Sequence, residues 1–145
     1  MIRLATQKDI SAISDLLQIL FAQEMDFTPD PEAQNTGLAM FLDDPFAGDI
    51  LVSEMDGQVV GTVTLALVTS TAEGATVGNI EDFIVHPSYQ GQGIGKALME
   101  EVIAYARSIG IRRLTLLTDN NNTAQGLYTK FGFKQSHMIP MRKYL

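Results

Sequence analysis

Between residues 90 and 96 the chain reads Gln90-Gly91-Gln92-Gly93-Ile94-Gly95-Lys96, placing three glycines within five positions. Glycine inside a helix costs about 1 kcal/mol relative to alanine, so such a cluster needs a reason in backbone geometry or in close approach to a partner. Pro87 closes an apolar, strand-like run just before it. After it, Ile94, Leu98, Val102, Tyr105, Ala106 and Ile109 recur at helical spacing as far as Gly110, which predicts a long amphipathic helix with a glycine stop. The unit is therefore strand, glycine loop, helix. Unpaired N–H groups and the positive end of the helix dipole converge at such a helix start, and both favour an anion such as a diphosphate. A glycine-rich turn that merely joins two elements fits the same residues. The dinucleotide pattern GxGxxG fails at Lys96, and the phosphate loop of nucleoside triphosphatases fails at Gln90 and Ala97, so neither NAD nor a nucleoside triphosphate is indicated.

Periodicity organises the rest of the chain. Residues 2–4 read as a short strand, and Thr6 with Asp9 has the spacing of a helix cap with an acidic partner. Ile10, Ile13, Leu16, Leu17, Leu20 and Phe21 then form one apolar stripe. Pro29 and Pro31 end that helix, and a shorter one is expected over 34–42. Strands over 50–55 and 58–68 flank Asp56-Gly57, a hairpin signal, and another strand covers 77–85. Within it Glu81 and Asp82 are adjacent, so alternation sends them to opposite faces and one of them inward. A strand over 113–118, a short helix over 123–131 and two closing strands over 134–137 and 141–145 complete a mixed α/β pattern.

The 145 residues contain no tandem repeat or linker-like tract, so one domain spanning 1–145 is expected. The chain has no cysteine, which removes disulfides, Cys-based zinc sites and any mechanism through an enzyme sulfur. The first residues carry no signal-like apolar core and no run is long enough for a bilayer, so a cytoplasmic protein without a membrane partner is expected. The net charge of −7 argues against nucleic acid. That charge is uneven. Residues 1–89 hold two basic against fourteen acidic side chains, and residues 90–145 hold eight basic against three acidic. His86 and His137 stand alone without ligand spacing, so no metal site is expected.

A second constellation comprises Asn121, Ala124 and Tyr128, followed by Phe131-Gly132-Phe133. Steps of three and four put the first three on one side of a helix, with the small Ala124 leaving a groove between an amide and a phenol. An N-cap asparagine beside a half-buried tyrosine is the plainer reading. Taken together, Gln90, Gly93 and Gly95, then Asn121, Ala124, Tyr128, Gly132 and Phe133, resemble the two spaced motifs of the GNAT superfamily of acetyl-CoA-dependent N-acetyltransferases. The resemblance runs the length of the chain. It implies a single-domain α/β GNAT-like fold, with a mixed, mostly antiparallel sheet of six to seven strands and about four helices.

The resemblance further implies acetyl-CoA as co-substrate, with backbone amides of Gly91, Gln92, Gly93, Ile94, Gly95 and Lys96, beside Gln90, on its diphosphate. Main chain at Phe83, Ile84 and Val85 would pair with the pantetheine arm, Asn121 and Ala124 would border it, and Tyr128 would sit by the thioester sulfur. Glu81 matches the position of a general base in several members, with Asp82 as the alternative. The chemistry is consistent with this. An alkylamine of pKa about 10.4 is neutral in roughly one molecule in 2,500 at pH 7, so attack needs a route for its proton. The acidic first part, including Glu24, Asp26, Asp30 and Glu32, points to a small cationic amine acceptor. An idle acyl-CoA-binding sensor, or an enzyme acting on a protein amino terminus or lysine, also fits. A homodimer is allowed.

Overall fold

The computed structural model describes residues 1–119 and 124–145. Its elements in chain order are β1 (Ile2–Leu4), α1 (Ile10–Gln23), α2 (Pro31–Asp43), β2 (Gly48–Met55), β3 (Gln58–Ser70), β4 (Ala75–Val85), α3 (Ile94–Ser108), β5 (Leu114–Leu116) and α4 (Gln125–Lys130). The five strands lie in sequence order in one sheet. The first three pairings are antiparallel and the β4–β5 pairing is parallel. Strand alternation sorts the core into two halves. Ile50 and Val52 face Ile13, Leu17 and Leu38 of α1 and α2, while Leu51, Val63 and Leu65 face Leu98, Met99, Val102 and Ala106 of α3. The result is a sheet between two helical layers.

Local chemistry sets the boundaries. Asp56 and Gly57 both take positive φ, 50° and 76°, as a tight β2–β3 hairpin turn requires. The second helix starts at Pro31, earlier than the expected residue 34, because a proline is tolerated in a helix's first turn and the Asp30 side chain accepts from the Ala33 N–H at 3.1 Å. The Thr6–Asp9 signal marks a 3-10 turn over Gln7–Asp9 that leads into α1. There the Asp9 carboxylate accepts the Thr6 N–H at 2.7 Å and both ends of the Arg3 guanidinium fork at 2.8 and 2.9 Å. Arg3 also donates to Glu54 at 2.9 Å, so one guanidinium ties β1, the start of α1 and the end of β2.

One expectation fails. The sheet has five strands among the described residues, not six to seven, because residues 134–145 form neither strand nor helix. Lys134-Gln135-Ser136-His137 has no apolar side chain to bury, β5 offers an edge of only three residues, and Pro140 lacks a donor for a ladder. Met138, Ile139, Met141 and Leu145 are consequently exposed.

The Arg3 fork holds the Asp9 carboxyl down at about 2, from an ordinary 3.8. A folded-state value below the unfolded one means that ionised Asp9 favours folding above about pH 4, and that this contribution fades as pH falls toward 2. Asp9→Asn is expected to cost about 2 kcal/mol in unfolding free energy at pH 7, with the gap to the unsubstituted protein closing below pH 4 in denaturant titrations.

Candidate active site

Strand β4 is paired unequally on its two sides. Toward β3 it is bonded along its whole length, but toward β5 only Gly78, Asn79 and Ile80 have strand partners among the described residues, opposite Leu114, Thr115 and Leu116. The cause lies at the acids. Thr62 stands opposite Ile84 and Thr64 opposite Glu81, so Val63 alone faces both Asp82 and Phe83. This is a β-bulge, with Asp82 in the left-handed region at φ 52°, a conformation Asp adopts more readily than most residues. A bulge bends its strand and raises its twist. Past Ile80, β4 therefore runs on without a strand on its β5 side among the described residues, and this edge can take an extended chain as an added strand.

The bulge also resets the alternation. Glu81 is exposed, Asp82 half-buried, and Ile84 and Val85 are both buried in succession. The inward acid is thus Asp82. Burial first, then the neighbouring charges of Glu81 and Glu24, push its carboxyl up to about 6. Glu24, which follows α1, is also raised by burial and by Asp119 and Asp26, with Arg142 opposing.

At the far end of the open edge lies the glycine loop. Gln90 is an anchor, its Nε2 donating to the Val85 carbonyl at 2.9 Å and pinning the loop to the end of β4. Gly91 and Gly93 have φ of 77° and 83°, and no protein atom lies within 4 Å of where a Cβ would stand on either. These glycines are required by backbone conformation and leave an open cradle. Gly93 is the N-cap of α3, and no side chain caps the helix there, so its first N–H groups face outward. Gly95 and half-buried Ile94 begin the helix against β4, a Cβ at Gly95 falling 3.4 Å from the Phe83 ring. Gln92 and Lys96 are exposed, Lys96 lying 3.6 Å from Glu100. A helix start without a side-chain cap, beside unhindered positive-φ glycines, suits a diphosphate.

Tyr128 closes the third side. It is buried on α4, with ring centroids 6.0 Å from Phe83 and 6.2 Å from Phe133, and its N–H bonds the Ala124 carbonyl at 3.0 Å. Burial, then the charge of Glu24, push the phenol up to about 12. It stays protonated at any neutral pH and can serve as an acid. Asn121 lies outside the described residues. Glu24 thus acts on both Asp82 and Tyr128, a link that no spacing announces. The site is a slot along a strand edge, not an enclosed hollow. Two concavities, of about 310 and 510 Å³, are lined by none of Glu24, Asp82, Tyr128 or the glycine loop.

Comparison with known proteins gives the family. Residues 13–133 match the acetyltransferase (GNAT) family model, and the chain belongs to that family of enzymes, whose co-substrate is acetyl-CoA. The aminoalkylphosphonate N-acetyltransferase of Salmonella typhimurium is 30% identical over 137 residues, 94% of this chain and 86% of that enzyme. The glucosamine 6-phosphate N-acetyltransferase of Trypanosoma brucei brucei is 38% identical over 87 residues, 59% of this chain and 57% of that enzyme. Among solved structures, an integron cassette protein from the mobile metagenome of Cole Harbour Salt Marsh superposes with a TM-score of 0.86 at 26% identity, covering 99% of this chain and 90% of that one.

If Asp82 takes a proton during turnover, kcat/KM should rise with pH through an inflection near 6, since the base must be ionised to act. Asp82→Asn, which tolerates the same backbone, should remove that limb and at least 10²-fold of the rate. Glu81→Gln removes a repelling charge and should move the inflection to lower pH. A loss of 10²-fold in Glu81→Gln, with Asp82→Asn active, would make Glu81 the base.

Proposed function

We propose that this chain moves the acetyl group of acetyl-CoA directly to the primary amine of a small acceptor, with residues 1–145 acting as a single N-acetyltransferase domain. The observation that carries the reading is the open edge of β4, which starts at the glycine loop and passes the Asp82 bulge beside Tyr128. Backbone amides of residues 91–96 hold the diphosphate at the start of α3. Main chain at Phe83, Ile84 and Val85 pairs with the pantetheine arm as a further strand, and Asn121 and Ala124 border that arm on the α4 side. Two relatives named for acting on an aminoalkylphosphonate and on glucosamine 6-phosphate support a small amine as acceptor.

Acetyl-CoA supplies an activated thioester. The acceptor is a cationic amine that enters as an ammonium ion, drawn by the charges of Glu24, Asp26, Glu81 and Asp82. Asp82, held near 6 by burial and its acidic neighbours, takes one ammonium proton and passes it to water, which frees the nitrogen lone pair. The amine then bonds to the acetyl carbon as the carbonyl electron pair moves to oxygen, and the second proton that nitrogen sheds goes to Asp82. The carbon–sulfur bond then breaks and Tyr128 protonates the sulfur. With no cysteine in the chain, no acyl group rests on an enzyme sulfur.

A thiol-release assay with acetyl-CoA across amines of differing charge tests the activity itself. CoA should raise the melting temperature, as any ligand selective for the native state does. Gly93→Glu should abolish that rise by setting bulk and negative charge in the cradle. A folded Gly93→Glu that binds CoA normally refutes the loop assignment. Tyr128→Phe keeps the ring packing and loses the proton, so kcat should fall about 10²-fold with CoA affinity little altered. An unchanged kcat would leave Tyr128 a packing residue.

A further inference from the structure

Two helices end around one hollow, far from the glycine loop. At the end of α3, Gly110 takes φ 83° and its N–H bonds the Arg107 carbonyl at 3.1 Å, while the Ile111 N–H reaches back to the Ala106 carbonyl at 2.9 Å. After α4, Gly132 takes φ 87° and its N–H bonds the Thr129 carbonyl at 3.0 Å, while the Phe133 N–H reaches back to the Tyr128 carbonyl at 3.1 Å. Both are the same left-handed glycine cap, which reverses the chain and satisfies carbonyls at the helix end. The two reversals bring residues 111–114 and 131–134 together beside α3, and they line the concavity of about 310 Å³. Arg107, which also lines it, comes 14 residues after Gly93, about 21 Å along the helix at 1.5 Å per residue. The hollow is therefore separate from the diphosphate cradle.

Its floor is apolar and its rim is cationic. Ile103, Ile111, Leu114, Phe131 and Phe133 line it half-buried, around buried Ala106. Arg107, Arg112, Arg113 and Lys134 line it exposed, and no acid is among the described residues that do. The whole chain has ten basic residues and a net charge of −7, so four cations at one hollow are a local excess. Helix dipoles account for only part of it. Arg107 lies in the last turn of α3 and Lys130 in that of α4, and the dipole's reach ends with that turn. Arg112, Arg113 and Lys134 follow the caps and exceed that need. Arg113 is tied to Glu73 at 3.4 Å between side chains 46% and 40% exposed, a weak pairing. Arg107, Arg112 and Lys134 make no ion pair among the described residues. Like charges gathered this way repel one another, and an anion among them reverses that cost.

We propose that this concavity is a second ligand site, apart from the slot along β4, and that it takes a small molecule joining an apolar ring to a phosphate-type dianion. The ring packs on the floor made by Ile111, Phe131 and Phe133, and the dianion meets the guanidinium forks of Arg107 and Arg112 and the ammonium of Lys134. Forked donors match phosphate oxygens two at a time. A volume of about 310 Å³ holds one small ligand, at the lower end of the range for such sites. The site calls for no amine, so its ligand is not the acetyl acceptor, and it stands whether or not the slot transfers acetyl. Phe133 also packs on Tyr128, so the two sites share one aromatic contact.

The test is titration of the isotope-labelled full chain with phenyl phosphate, inorganic phosphate and benzyl alcohol at neutral pH, read from backbone amide shifts. Phenyl phosphate is expected to move the amides of residues 106–114 and 131–134 saturably, with a Kd at least tenfold below that of either other compound. Added salt should weaken it. The double substitution Arg107→Gln with Arg112→Gln should raise that Kd at least tenfold while the melting temperature stays unchanged, because both side chains are exposed. Lys134→Gln, on the other capped segment, should raise it severalfold and repeats the test independently. Phenyl phosphate binding no tighter than inorganic phosphate would reduce the hollow to a diffuse cationic surface and overturn the proposal. Shifts confined to residues 91–96, or a Kd within twofold of the unsubstituted value in both variants, would overturn it as well.

Discussion

The site depends on one extra residue in β4. With Val63 facing both Asp82 and Phe83, the strand cannot keep its register against β3 and remain straight along β5. Pairing with β5 ends at Ile80, and five further residues present an edge unpaired on that side among the described residues. A left-handed Asp costs on the order of 1 kcal/mol, which the surrounding strand pairs and the buried Ile84 and Val85 offset. The same distortion opens the edge, turns Asp82 inward and leaves Glu81 in water. Without the bulge, β4 and β5 could continue their ladder and close the slot.

Burial then shifts two groups that share one neighbourhood in the same direction. Asp82 and Tyr128 are both desolvated, and both feel Glu24. Burial destabilises the charged form of each, which sets the carboxyl near 6 and the phenol near 12. At neutral pH one is an ionised acceptor and the other a protonated donor, the division of roles that acid–base catalysis of acyl transfer needs. In the proposed reaction Glu24, just past α1, adds a charge that raises both groups.

Much of this was legible in the sequence because it obeys local rules. The helical stripes from Ile10 and from Ile94, the Asp56-Gly57 turn and the order of elements follow from periodicity and turn chemistry. The glycine loop was readable for the same reason, since Gly91 and Gly93 are where φ turns positive. The bulge was not readable: alternation is a rule about regular strands, and Glu81 and Asp82 look equivalent until one inserted residue decides which turns inward. The closing strands expected over 134–137 and 141–145 do not form, because pairing needs a long partner edge, which the three-residue β5 does not give. Arg142 on Phe27 joins positions more than a hundred residues apart, and no local spacing encodes such a contact.

The central claim is that CoA lies along the open edge of β4 with its diphosphate on the glycine loop. Amide hydrogen exchange with and without CoA reads this residue by residue. The account predicts slowed exchange concentrated at residues 91–96 and 83–85, with the β1–β2 pairing unaffected beyond any global stabilisation. Slowing confined to other segments, with residues 83–85 and 91–96 exchanging as in the free protein, would contradict it.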